Sequence, residues 1–111
     1  MKKFLVLYLS SASSADQMKN ATPDQMKAGM ELWMQWSQKN AAGIVDLGAP
    51  LANARQVQKR SSRNIGSEVS GFSILQADSM DAVLKMLEEH PHFHAPGASI
   101  QVHEFLPIPG M

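Results

Sequence analysis

The residues best able to move protons or hold ligands gather near one end of the chain. All four histidines, His90, His92, His94 and His103, fall close to the C-terminus, and there is no cysteine to serve as nucleophile or thiolate ligand. His90, His92 and His94 alternate through His-Pro-His-Phe-His, a loop broken by Pro91. Imidazole is a common metal ligand, but a structural zinc site takes four ligands and an open catalytic one three. The spacing here has no metal pattern, so no metal is expected and these read as exposed or supporting loop histidines. His103 differs because Ser99 to Phe105 alternates as a strand. Gln101, His103 and Phe105 share one face of it, Ile100 and Val102 the other. The aliphatic pair is suited to packing on helices, which leaves Gln101 and His103 on the opposite, open side. Tyr8 and Gln76 are expected to face the same way. If a second subunit closes that side, these groups lie in a lumen where a histidine must find a partner or a ligand.

Asp46 stands just before Gly48, where a carboxylate can act as a base or hold the turn by accepting backbone hydrogen bonds; the turn role is the simpler. With His103 it forms the candidate proton-transfer pair. Tyr8, Trp36, Phe72, Gln76, Gln101, His92 and His94 are the candidate substrate contacts. Arg55, Lys59, Arg60 and Arg63 make a basic stretch that suits an anion, although a solvated hairpin explains it as well. Glu88-Glu89 reads as a helix-end surface whose charge opposes the helix dipole.

The elements that must position these residues follow from local signals. Thr22-Pro23-Asp24-Gln25 begins a helix: Thr22 caps, Pro23 suits the first turn, and Gln25 completes a capping box. About five turns follow to Ala42, with Met26, Met30, Trp33 and Ser37 tracing one line. Ile44 to Leu47 is a short strand, Gly48-Ala49-Pro50 a bend, and Leu51 to Lys59 a second extended piece. The polar stretch from Lys59 to Ser67 reads as a hairpin or longer loop leading to a strand from Val69 to Ala77. Asp78-Ser79 caps a second amphipathic helix through Met80, Val83, Leu84 and Leu87 that stops at His90-Pro91. The N-terminal run Phe4 to Leu9, preceded by Lys2 and Lys3, has two readings. Its six apolar residues fall short of a signal-peptide core of about 7 to 15, whereas a central strand covered on both faces should be apolar on both. Strand one is therefore the reading adopted.

The order is β-α-β-β-α-β, an α+β ferredoxin-like arrangement with two helices on one face of an antiparallel sheet. At 111 residues the chain is expected to be a single domain, 1–111. Ten bases balance ten acids, so no net field gathers nucleic acid or anionic lipid. No apolar run reaches the roughly 18 residues of a membrane span. A soluble, cytoplasmic homodimer is expected, binding neither nucleic acid nor membrane.

Lys3-Phe4-Leu5-Val6-Leu7-Tyr8, Trp33-Met34-Gln35-Trp36, Asp46-Leu47-Gly48-Ala49-Pro50-Leu51, the segment Gly71 to Ala82 and Ser99-Ile100-Gln101-Val102 together resemble the YciI-related (YCII, DGPF-like) family. The resemblance implies a ferredoxin-like subunit pairing through its open sheet face into a dimeric α/β barrel. It also implies kinship with small lyase or dehydrochlorinase-type enzymes acting on ring compounds, although most members have no assigned reaction. Two family features are missing. The first helix, Pro23 to Ala42, lacks the histidine proposed to pair with an aspartate, and the loop before Gly71 reads Ser62-Arg63-Asn64-Ile65-Gly66-Ser67-Glu68-Val69 where one branch has Asp-Gly-Pro-Phe.

Two functions follow. One is a cofactor-independent enzyme in which His103, with Asp46 or another histidine, moves protons on a small ring-containing or carbonyl substrate in the dimer cavity. The other is a non-catalytic dimeric module that binds a small ligand or serves as an accessory protein.

Overall fold

The computed structural model describes residues 1–110, apart from the side chains of residues 14 and 15. The apolar N-terminal run is strand β1 (Lys2–Leu9). A short helix α1 (Ser14–Asn20), capped by Ser13, precedes the long helix α2 (Pro23–Lys39). The capping box forms as expected: Gln25 N donates to Thr22 Oγ1 at 3.1 Å, and Thr22 N donates to Gln25 Oε1 at 2.9 Å. A 3-10 turn (Ala41–Gly43) leads into β2 (Ile44–Pro50). Next come β3 (Arg55–Gln58), β4 (Ser61–Asn64) and β5 (Val69–Ala77). Helix α3 (Met80–Leu87), capped by Ser79, a second 3-10 turn (Pro91–His94) and β6 (Ser99–Glu104) complete the chain.

The main sheet has the order β2-β5-β1-β6, with every pairing antiparallel. Discounting α1 and the β3-β4 hairpin, this is the ferredoxin-like βαββαβ arrangement, an α+β fold with helices on one face, as in the subunit of a dimeric α/β barrel. Strand β1 is central, hence its apolar sequence. Phe4, Val6 and Tyr8 are buried under the helices with Leu75, Ala77, Trp36, Val83 and Leu87. Leu5, Leu7 and Leu9 point to the other face, where they are half-buried.

Three sequence readings are corrected. The bend expected at Gly48-Ala49-Pro50 is an irregular stretch inside β2, with register shifts on both sides of Asp46, after which Ala49 and Pro50 pair with Phe72 and Gly71. The piece from Leu51 to Lys59 does not join the main sheet; its strand pairs only with β4. Met26 and Met30 do not lie on the buried line of α2. Its inward side is Gly29, Trp33, Trp36 and Ser37, and both methionines are exposed.

Candidate functional site

The polar groups that the fold removes from water lie between sheet and helices. His90 is 1% exposed and His92 7%. Strand phase puts Tyr8 there too: it shares parity with Phe4 and Val6, so the expectation that Tyr8 joins Gln101 on the open side fails. The Tyr8 ring stacks on His90 with centroids 4.8 Å apart and lies 5.2 Å from His92. Trp33 and Trp36, one turn apart on α2, each present an edge-to-face contact to His90 at 4.4 Å.

Hydrogen bonds fix the tautomers. His92 N donates to His90 Nδ1 at 2.9 Å, so that nitrogen carries no proton and the ring's one hydrogen sits on Nε2. Nε2 is buried with no hydrogen-bond partner; the two indoles flank the ring. His92 Nε2 lies 2.7 Å from the Leu9 carbonyl, which can only accept. In the neutral His92 ring the proton is therefore on Nε2, and Nδ1 keeps its lone pair. One imidazole is held as a donor and its neighbour as an acceptor. Desolvation, with a smaller electrostatic contribution from the neighbouring His92, pushes His90 down to about 3, so it stays neutral at physiological pH. Tyr8 Oη donates to Ser73 Oγ at 2.8 Å, and Ser73 donates onward to the Leu47 carbonyl at 2.6 Å, in the irregular stretch of β2. Burial pushes the Tyr8 phenol up to about 12, only partly offset by Ser73.

The residues expected at a single lumen are divided between two faces. Trp36, Tyr8 and His92 lie on the helix side, Trp36 with its indole N–H donated to the Met86 carbonyl at 2.8 Å. Phe72, Gln76, Gln101 and His103 lie on the open side. There Gln76 donates to the Ala42 carbonyl at 3.1 Å, and His103 pairs with Gln101 at 3.2 Å on an exposed surface. His94 is exposed at the end of its 3-10 turn. Asp46 accepts from Gly48 N at 2.8 Å, the turn role. The pairing of Asp46 with His103 fails within one subunit. Both occupy the row Asp46–Ile74–Leu5–His103, but at opposite edges of the sheet, three strand spacings or about 14 Å apart.

His90 itself is the residue the sequence reading placed wrongly, among exposed or supporting loop histidines. Its signal was present: Val83, Leu87 and His90 continue one helical line at i, i+4, i+7, so the stripe that buries the first two carries the third inward. Trp33 and Ser73 belong to the same cluster. Among the described residues no three of His, Asp and Glu converge as a metal site, and no helix is long and apolar enough to cross a membrane.

No protein-family model matches the chain, and no curated protein sequence matches it. Among solved structures it is similar to the 5-chloro-2-hydroxyhydroquinone dehydrochlorinase of Burkholderia phenoliruptrix AC1100, determined in complex with 2,5-dihydroxybenzoquinone. The TM-score is 0.55 at 17% identity, over 96% of this chain and 94% of that one. At that identity the likeness is one of fold: the ferredoxin-like α+β subunit of the dimeric α/β-barrel class.

Proposed function

We propose that this protein is a YciI-related, cytoplasmic, homodimeric enzyme that moves a proton on a small ring-containing carbonyl or phenolic substrate, using no bound cofactor. The observation that carries the reading is His90 Nε2, a buried donor without a partner among aromatic rings. A polar group left so costs about 1 to 3 kcal/mol, and a substrate oxygen would satisfy it. The catalytic pair thus moves from His103 and Asp46 to His90 and His92.

The two imidazoles divide the work. A ring stacks against Tyr8 in place of an indole edge, with its carbonyl oxygen accepting from His90 Nε2–H. Neutral imidazole suits this task because it polarises the oxygen without surrendering its own proton. His92 Nδ1 takes a proton from the adjacent carbon or hydroxyl, and the electron pair moves into the carbonyl oxygen. Returning the proton at another position completes an isomerisation; departure of a substituent with its electron pair completes an elimination. Entry requires the two indoles to swing aside with α2, a helix in which Trp36 is the one buried residue.

Both tryptophans of the chain lie at this cluster, so their fluorescence reports occupancy. 2,5-Dihydroxybenzoquinone and substituted hydroquinones should quench it saturably, with affinity about tenfold weaker in His90→Asn. Deuterium exchange at a ring carbon of the bound compound should vanish in His92→Ala while binding persists. A second reading, a non-catalytic ligand-binding module, is favoured by how fully the rings surround His90. Binding without exchange would establish it, and no saturable quenching by any ring compound would refute both.

A further inference from the structure

The positive charge of this chain is concentrated on an arm that the fold leaves unsupported. Strands β3 and β4 bond only to each other, and every residue from Arg55 to Asn64 is exposed. A lone two-stranded hairpin is marginally stable at best in water. The arm braces itself with cross-strand bonds: Arg55 donates to Asn64 Oδ1 at 2.6 Å and Ser62 Oγ at 2.9 Å, and Arg63 donates to Gln56 Oε1 at 3.1 Å. Lys59 and Arg60 form its tip. The molecule is correspondingly extended, with a radius of gyration of 15.5 Å where a compact domain of this length has about 13 Å.

Charge is segregated along with shape. No acidic residue occurs from Leu47 to Ser67, a stretch holding four of the ten bases; the rest of the chain has six bases and ten acids, so +4 faces −4. Among the described residues the one ion pair joins Lys2 to Glu104 at 3.2 Å, far from the arm in sequence. Glu88 and Glu89 are two adjacent acids, with Lys85 the one base in the preceding turn. Both are exposed just past the last turn of α3, where the carbonyl end of the helix is already negative.

We propose that the arm is an interface with a second copy of this chain, its Lys59, Arg60 and Arg63 docking on the Glu88-Glu89 end of α3 in that copy. A chain with equal and separated charges is complementary to itself, and under two-fold symmetry each arm answers the other's acidic end. A nucleic acid or an anionic small molecule would engage the arm but leave the acidic end uncompensated. The contact is separate from any apolar pairing of the open sheet faces; it supplies attraction at a distance and fixes orientation.

Sedimentation of the full chain tests it, with circular dichroism checking that each variant is folded. Raising salt from about 0.05 M to about 0.5 M should weaken self-association about tenfold. At low salt the Arg60→Glu/Arg63→Glu double variant should weaken it by about tenfold or more, and so should Glu88→Lys/Glu89→Lys. Combining the two reversals should restore wild-type association. Failure of the combination to rescue, or unchanged association in either double variant, overturns the proposal. So does capture of heparin or single-stranded DNA by the arm with self-association indifferent to every reversal. Leu7→Glu on the open sheet face separates the two contacts: dimers lost there but kept in the arm variants sink the arm alone, and the converse sinks the sheet pairing alone.

Discussion

Burial makes His90 an acid-sensitive point of the fold. Its imidazole titrates at about 3 in the folded chain and near 6.5 when unfolded. Between those values the unfolded chain binds a proton that the folded one refuses, so His90's contribution is whole above pH 6.5 and is lost as pH falls toward 3. The loss is at most roughly 4 to 5 kcal/mol. Urea titrations across that range should give a steeper fall for the wild type than for His90→Asn, whose amide oxygen can still accept from His92 N. Equal slopes would mean that the imidazole is not desolvated. Tyr8 behaves in the opposite sense: its phenol, raised to about 12 by burial, contributes fully below pH 10, and that contribution declines as pH rises beyond it. Tyr8→Phe should remove this alkaline component at a neutral-pH cost of about 1 kcal/mol, the net value of its bond to Ser73.

Strand β2 depends on one glycine. Gly48 has φ +83°, and a Cβ there would lie 1.7 Å from the Phe72 carbonyl oxygen of β5. The neighbour is backbone in the middle of the sheet and cannot yield, unlike the end of a flexible side chain. Gly48→Ala should therefore destabilise the protein by about 3 kcal/mol or more, through αL strain and a broken β2–β5 ladder. Asp46 supports the same irregular stretch by accepting from Gly48 N, so Asp46→Ala should cost about 1 kcal/mol and leave ring-compound binding unchanged. Thermal unfolding beside the fluorescence titration checks both. A binding defect in Asp46→Ala would return that carboxylate to the functional residues.

The sheet carries helices on only one face. The other presents Leu5, Leu7, Phe72 and Ile74, adjacent across β1 and β5 and half-buried within the subunit. An apolar face of this kind ordinarily pairs. Sedimentation should give twice the 12.2 kDa chain mass, and Leu7→Glu, placing a carboxylate at the centre of that face, should yield monomers. A wild-type monomer at micromolar concentration would remove the dimer from the proposed function.

How much of this molecule its sequence determines differs between fold and site. Apolar β1, the Thr22-Gln25 box, the Ser79 cap and the alternation of β5 and β6 each specify their element by local chemistry, and the sheet order follows from connecting them. Ile100 and Val102 were assigned correctly to the helix side, and Gln101 and His103 to the open side, because strand alternation leaves two choices and apolarity selects one. That rule cannot place Tyr8, an amphipathic ring suited to either face, in a strand apolar on both. Nor can it show that Asp46 and His103 end at opposite edges of the sheet, since two intervening strands come from elsewhere in the chain. The cluster of Tyr8, Trp33, Trp36, His90 and His92 draws on β1, α2 and the turn after α3, segments whose contributing residues lie 25 to 84 positions apart in sequence. Local spacing fixes the direction of each side chain along its own element. Only the packing of helices on the sheet decides which of them meet.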